Sequence, residues 1–186
     1  MTTGNRISEV KHKLVAETIE KFPDTSTMLS TQDQSQLMKT LVQLTGAKRG
    51  IEVGTYTGYS ALNLAEGLPS DGKLICLDVS DEFTSLGKKY WKEAGVDDRI
   101  ELILGPGVDT LDSMIAEEDK LNSFDFAYVD ADKPNYKLYY ERLLQLMKPN
   151  GFIMFDNMLW RGKVCEPYQE GETEQTTALR ELNDYL

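Results

Sequence analysis

The residues able to do chemistry stand where short apolar runs end. Tyr128-Val129-Asp130-Ala131-Asp132-Lys133 closes one run and Phe155-Asp156-Asn157 closes another. Two carboxylates and an amide oxygen make a hard oxygen site suited to Mg²⁺, Mn²⁺ or Ca²⁺, and Lys133 is an amine beside it. Upstream, Glu52-Val53-Gly54-Thr55-Tyr56-Thr57-Gly58-Tyr59-Ser60 is a glycine-bearing turn that lets backbone approach a ligand at the next helix N-terminus. Asp78 closes a further run 20 residues after Gly58, where an acidic side chain can accept both hydroxyls of a ribose. Turn and acid together suggest an adenosine pocket. Plainer readings exist for each: a tight turn without ligand, Asp78 capping the helix that begins near Asp81, and strand-end Asp and Asn residues capping turns. The turn lacks the third glycine of G-x-G-x-x-G, which argues against a bound pyrophosphate and against a nucleotide-dependent oxidoreductase.

These residues need a sheet to bring them together. Val- and Ile-rich runs recur at GIEV, KLICLDV, RIELIL, FDFAYVD and GFIMFD, separated by stretches of helical period such as EFTSLGKKYWKEAG and NYKLYYERLLQLM. That alternation predicts parallel βαβ units and a doubly wound α/β fold with both sheet faces covered. Ligands then bind beyond the carboxyl ends of the strands, where Asp130, Asp156 and Asn157 converge if the fourth and fifth strands are neighbours. Ahead of the core, Val10, Leu14, Val15, Ile19 and Phe22 predict an amphipathic helix over 8–22, stopped by Pro23. A second helix from about Gln32 carries Leu37, Met38, Leu41, Val42 and Leu44 on one side and ends at Gly46. The expected organisation is one domain over 1–186, with N-terminal helices in 8–45 and an α/β core in 49–186. Residues 157–174 lack regular periodicity and read as a functional loop.

Composition narrows the class of partner. In 186 residues, 20 Lys and Arg face 31 Asp and Glu, a net charge of −11, which disfavours nucleic acid and anionic membrane surfaces. No apolar run approaches the roughly 20 residues that a bilayer span requires. The N-terminal stretch lacks the apolar h-region of a secretory signal, so the cytoplasm is the expected compartment. With one histidine, His12, and two cysteines, Cys76 and Cys165, a zinc site of soft or imidazole ligands is disfavoured, and Cys76 reads as a small buried hydrophobe.

The motifs IEVGTYTGYSAL, LICLD, the Gly-Pro after the third strand, YVDADKPNY and DNMLW, in this order and spacing, resemble the cation-dependent S-adenosylmethionine O-methyltransferases typified by caffeoyl-CoA O-methyltransferase, and more distantly catechol O-methyltransferase. The resemblance covers about 28–160 and implies a Rossmann-like class I methyltransferase sheet. It implies that Glu52, Gly54, Thr55 and Ser60 line the methionine and ribose part of the cofactor, with Asp78 on the ribose hydroxyls, Gly107 near adenine, and Ser30 and Asp132 also touching the cofactor. Asp130, Asp156 and Asn157 fall on the metal ligands. Lys133 matches the general base and Tyr139 a substrate-contacting aromatic, while Asp130 counts also with the catalytic and cofactor-contacting groups. Trp160, Arg161 and the loop to Glu174 are expected to wall the acceptor pocket. A catechol-like acceptor bound to Mg²⁺ becomes acidic enough for a lysine to deprotonate, and its oxygen then attacks the sulfonium methyl group. A homodimer is the implied assembly.

The chain departs from the pattern in three ways. It lacks the family's basic residue in a longer N-terminal segment, it has Gly107 in place of alanine, and it ends within the helix that begins near Glu174. The antiparallel strand pair that completes the family's sheet is therefore expected to be missing, leaving GFIMFD as an apolar edge. The alternative reading is a truncated adenosine-binding protein without catalysis.

Overall fold

The computed structural model describes residues 8–186; residues 1–7, part of the N-terminal stretch read above for a secretory signal, lie outside the described residues. Five parallel strands, β1 (Arg49–Val53), β2 (Lys73–Asp78), β3 (Ile100–Leu104), β4 (Phe124–Val129) and β5 (Met147–Phe155), form a sheet in the order β3-β2-β1-β4-β5. The order reverses between β1 and β4, and a crevice opens at that point above the strand ends. β4 and β5 are neighbours, pairing Val129 with Phe155, so the residues after them emerge side by side.

Strand residues alternate between two helical layers, as the period of two requires. Leu74, Cys76, Phe126 and Tyr128 pack toward Leu14 of α1 (Glu9–Lys21), Met38 and Val42 of α2 (Gln32–Thr45), α3 (Tyr59–Gly67) and α4 (Asp81–Glu93). Ile51, Val53, Ile75, Leu77, Ala127 and Val129 pack toward α5 (Gly107–Ile115), α6 (Tyr136–Leu146) and α7 (Glu174–Tyr185). The near-continuous apolar strands are the consequence of burial on both faces. Cys76 is a buried free thiol, as expected.

The N-terminal helices form where expected, but their buried faces are narrower than the apolar pattern. On α2 the buried residues are Ser35, Met38 and Val42, while Leu37 and Leu44 are exposed, and Ile19 of α1 is exposed too. Polar residues replace them in the interior. Lys11 is buried with its Nζ 2.6 Å from Asn63 Oδ1 and 2.7 Å from Glu66 Oε2, and Lys39 of α2 reaches the same Glu66 oxygen at 2.7 Å. Both N-terminal helices are thereby fastened to α3 by a paired charge, the form in which a buried lysine is tolerated. Gly46 closes α2 in the left-handed conformation, at φ 65°.

β5 lies at the sheet edge, and its residues Phe152–Phe155 are only half buried. Among the described residues the sheet contains parallel strands alone.

Candidate functional site

A cleft of about 1530 Å³ runs along the carboxyl ends of β1, β2, β4 and β5. Ser30, Gly54, Thr55, Ser60, Asp78, Gly107, Asp130, Asp132, Lys133, Tyr139, Asp156, Asn157 and Trp160 all line it, so nearly every residue singled out in the sequence meets in one place.

Glu52 is the exception. It does not line the cleft but sits beneath it, fully buried, in a cross-strand row with Cys76 and Tyr128. Neither carboxylate oxygen has a hydrogen-bond partner among the described residues. Burial pushes its pKa up to about 7, against the opposing influence of nearby Ser60, Cys76 and Thr55.

The β1–α3 turn is held by Asp78. The Thr55 and Tyr56 amides donate to Asp78 Oδ2 at 2.9 and 2.8 Å, and the Ser80 amide donates to Oδ1 at 2.8 Å. Asp78 therefore does not cap α4; Ser80 does, accepting from the Phe83 amide. A carboxylate accepts about four hydrogen bonds, so Asp78 keeps capacity for a ligand hydroxyl after fixing the turn. Gly54 stands at φ 91°, and a Cβ there would lie 2.1 Å from the Asp130 carbonyl oxygen. The first strand end is thus packed directly on the backbone of the fourth. Tyr56, at φ 52°, lays its ring edge-on against Phe83, 4.8 Å between centroids, and bonds Thr25 at 2.9 Å. Both aromatics line the cleft, and neither was singled out in the sequence; Tyr56 could have been found as the bulky residue between two turn glycines.

On the other side, Lys133 is buried. Its Nζ donates to Asp130 Oδ1 at 2.8 Å, to the Ala131 carbonyl at 3.1 Å and to Tyr136 Oη at 2.6 Å, so all three ammonium hydrogens have acceptors. Tyr136 in turn donates to the Val129 carbonyl. Burial raises the Asp130 pKa; Lys133 opposes the rise and the neighbouring Asp156 charge reinforces it. Tyr128 Oη donates to Asp156 Oδ2 at 3.3 Å and receives the Gln34 amide at 3.3 Å, which links α2 to the end of β5. Tyr128 and Tyr136 were likewise missed in the sequence, where each looks like an ordinary core aromatic. Asp132 accepts from Tyr139 Oη at 2.5 Å and from Asn135, and Tyr139 packs so close to Gly107 that a Cβ there would lie 3.0 Å from its ring. Tyr139 thus buttresses Gly107 and Asp132 while presenting little surface of its own.

Asp130, Asp156 and Asn157 emerge side by side after β4 and β5 and offer a hard oxygen donor set. Among the described residues, no group of three His, Cys, Asp or Glu side chains gathers as a metal site, so the amide of Asn157 would have to complete this one. Beyond it, Asn157, Trp160 and Arg161 all have positive φ, at 61°, 42° and 56°, a concentration of strain typical of functional walls.

Strand order, crevice position and the acidic strand ends define a class I methyltransferase architecture. The chain belongs to the O-methyltransferase family, whose profile matches residues 2–186. It is 42% identical over 166 residues to tricin synthase 1 of Oryza sativa subsp. japonica, covering 86% of this chain and 66% of that protein. It is 44% identical over 140 residues to caffeoyl-CoA O-methyltransferase 2 of Zea mays, covering 75% of this chain and 53% of the relative. Among solved structures, the O-methyltransferase TomG from Streptomyces achromogenes, involved in tomaymycin synthesis and in complex with SAM, superposes with a TM-score of 0.88 at 28% identity, covering 97% of this chain and 78% of that one. The chain spans between about half and two thirds of the length of these curated relatives.

Proposed function

We propose that the protein transfers a methyl group from S-adenosylmethionine to a hydroxyl of a catechol-like acceptor, with help from a divalent cation, Mg²⁺ first. The observation that carries this reading is the convergence of Asp78, Asp130, Asp156, Asn157 and Lys133 on one cleft. When bound, the cofactor supplies an electrophilic methyl group and the cation makes a chelated phenol more acidic.

The chain's own residues bind and orient. Asp78 offers its remaining lone pair to a ribose hydroxyl, Gly54, Thr55 and Ser60 line the methionine and ribose side, and Ser30, Gly107 and Asp132 complete the cofactor half. Glu52, unpaired and just beneath the cleft, fits a role as counter-charge to the cofactor's cationic portion. Asp130, Asp156 and Asn157 would hold the cation. Lys133 is the amine placed to take the acceptor proton, once its ammonium has released one hydrogen to solvent or to the Asp130 carboxylate it is bonded to. Trp160 bounds the acceptor side, whereas Tyr139, expected from the resemblance to touch the acceptor, is buried and supports the cofactor half through Gly107 and Asp132; holding the reactants at near-attack distance is the main contribution to rate. The reading includes a homodimer in the cytoplasm. Exposed Leu37 and Leu44 on α2 supply an apolar contact for a second copy, and among the described residues no helix is long and apolar enough to cross a membrane.

Calorimetric titration with S-adenosylmethionine, with and without Mg²⁺, followed by assay of a catechol acceptor with and without chelator, tests this. Cofactor binding and chelator-sensitive turnover are expected, and D156A should lower turnover by at least about 100-fold while changing cofactor affinity less than about twofold. Turnover that survives the chelator removes the cation from the reading; failure to bind the cofactor removes the whole.

A further inference from the structure

The cleft separates its charges. Its acidic residues on the strand ends are engaged within the protein: Asp78 by three backbone amides, Asp130 by Lys133, Asp132 by Tyr139 and Asn135, and Asp156 by Tyr128 and the Asn157 amide. Asp109, in the first turn of α5, is the remaining acidic residue of the cleft lining. The cations divide differently. Among the described Lys and Arg side chains, only Lys92, Arg161 and Lys163 have no ion pair, no hydrogen bond and no aromatic ring beneath them. Two of these three, Arg161 and Lys163, line the cleft.

For a chain of net charge −11, two exposed cations left unpaired two residues apart on a cleft wall are a departure from its other lysines and arginines, most of which are paired. Acids are plentiful nearby, yet they are used elsewhere or face away. Glu172 is held by Arg180 at 2.7 Å, and Glu166, Glu170 and Glu174 are not part of the cleft wall. The backbone fixes the placement. Trp160, Arg161 and Gly162 take consecutive left-handed conformations in the Trp160–Cys165 turn, and Arg180 anchors that turn by donating to the Lys163 and Val164 carbonyls at 2.6 and 2.8 Å. The turn follows directly on Asp156 and Asn157, so the two cations stand on the acceptor side of the cleft, away from the Asp78 end.

We propose that Arg161 and Lys163 bind an anionic group, a carboxylate, carried by the acceptor away from its reacting hydroxyls. The proposal rests on the methyltransferase reading and adds the charge of the substrate. A planar guanidinium accepts a carboxylate in a two-point geometry, and an ammonium two residues along adds a point charge. The strongly acidic surface would otherwise repel such an acceptor, so local reversal of charge also favours its approach.

The test compares caffeate with its neutral methyl ester, both with saturating S-adenosylmethionine and Mg²⁺, for the full chain and for the R161A/K163A double variant. For the wild type, kcat/KM is expected to favour the acid by about tenfold, since two exposed ion pairs contribute roughly a factor of three to five each. The preference should reside in KM, shrink as salt is raised, and fall to near unity in the double variant. A wild type that uses the ester as well as the acid, or a variant that keeps the full preference, overturns the proposal. If neither compound is methylated, the methyltransferase reading fails. Calorimetry of the two compounds against the protein with S-adenosylhomocysteine then decides the charge preference by itself, with equal affinities counting against it.

Discussion

The two halves of the cleft rim are built by different means. At the ends of β1 and β2 the shape is held by main chain: three amides converge on Asp78, and Gly54 lies against the Asp130 carbonyl. At the ends of β4 and β5 it is held by side chains, with Lys133, Tyr136 and Tyr128 supporting Asp130 and Asp156, followed by a turn of strained residues that leaves two cations unpaired. Backbone packing tolerates little substitution and suits a ligand that does not vary. Side-chain support and an exposed turn can change residue by residue, which suits a variable partner.

Substitutions can break or sharpen this contrast. The largest effect is expected for G54A, because the added Cβ would meet backbone 2.1 Å away at a φ of 91°. A loss of more than about 4 kcal/mol in unfolding free energy, or failure to yield folded protein, is expected in denaturant titration. A small loss would show that the first half of the rim is as forgiving as the second.

E52Q probes the layer beneath. A carboxyl raised from 4.5 to about 7 by burial is disfavoured when ionised, so the wild type should lose stability as pH climbs from about 4.5 to about 7 and stay lower above that. Relative to E52Q, which cannot ionise, that loss is about 3 kcal/mol between about pH 5 and about pH 8 in the protein without cofactor. Cofactor binding should be weaker in E52Q. A stability difference that does not change with pH would mean Glu52 finds a counter-charge within the fold.

The smallest effect is expected in the second half of the rim. Thr173 caps α7 by accepting from the Thr176 amide, and T173A should cost about 1 kcal/mol in thermal or denaturant unfolding with cofactor affinity unchanged. A larger loss, or weaker cofactor binding, would show that the two halves are coupled.

Much of this rim was legible in the sequence because it is local. Asp78 closes its apolar run, Asp130, Asp156 and Asn157 follow theirs by one or two positions, and parallel strands place their carboxyl ends on the same side, so strand ends alone predict the convergence of these four. The helices were legible in position but not in orientation. Leu37 and Leu44 fit the apolar pattern of α2 yet face outward, since the surface available to that helix is narrower than its apolar arc and Ser35 takes an inner place instead.

By itself the sequence determined the βαβ order, the glycine turn, the acidic strand ends and the family pattern, since these depend on residue type and on spacing along one chain. Tertiary structure decided what each group has left to give. It sealed Glu52 without a partner, used Asp78 to fix a turn as well as to face the cleft, filled all three donors of Lys133, and left Arg161 and Lys163 unpaired. The physical reason is that burial and pairing are set by neighbours distant in sequence, as Glu52 lies between Cys76 and Tyr128 and Asp156 meets Tyr128 and, through it, Gln34.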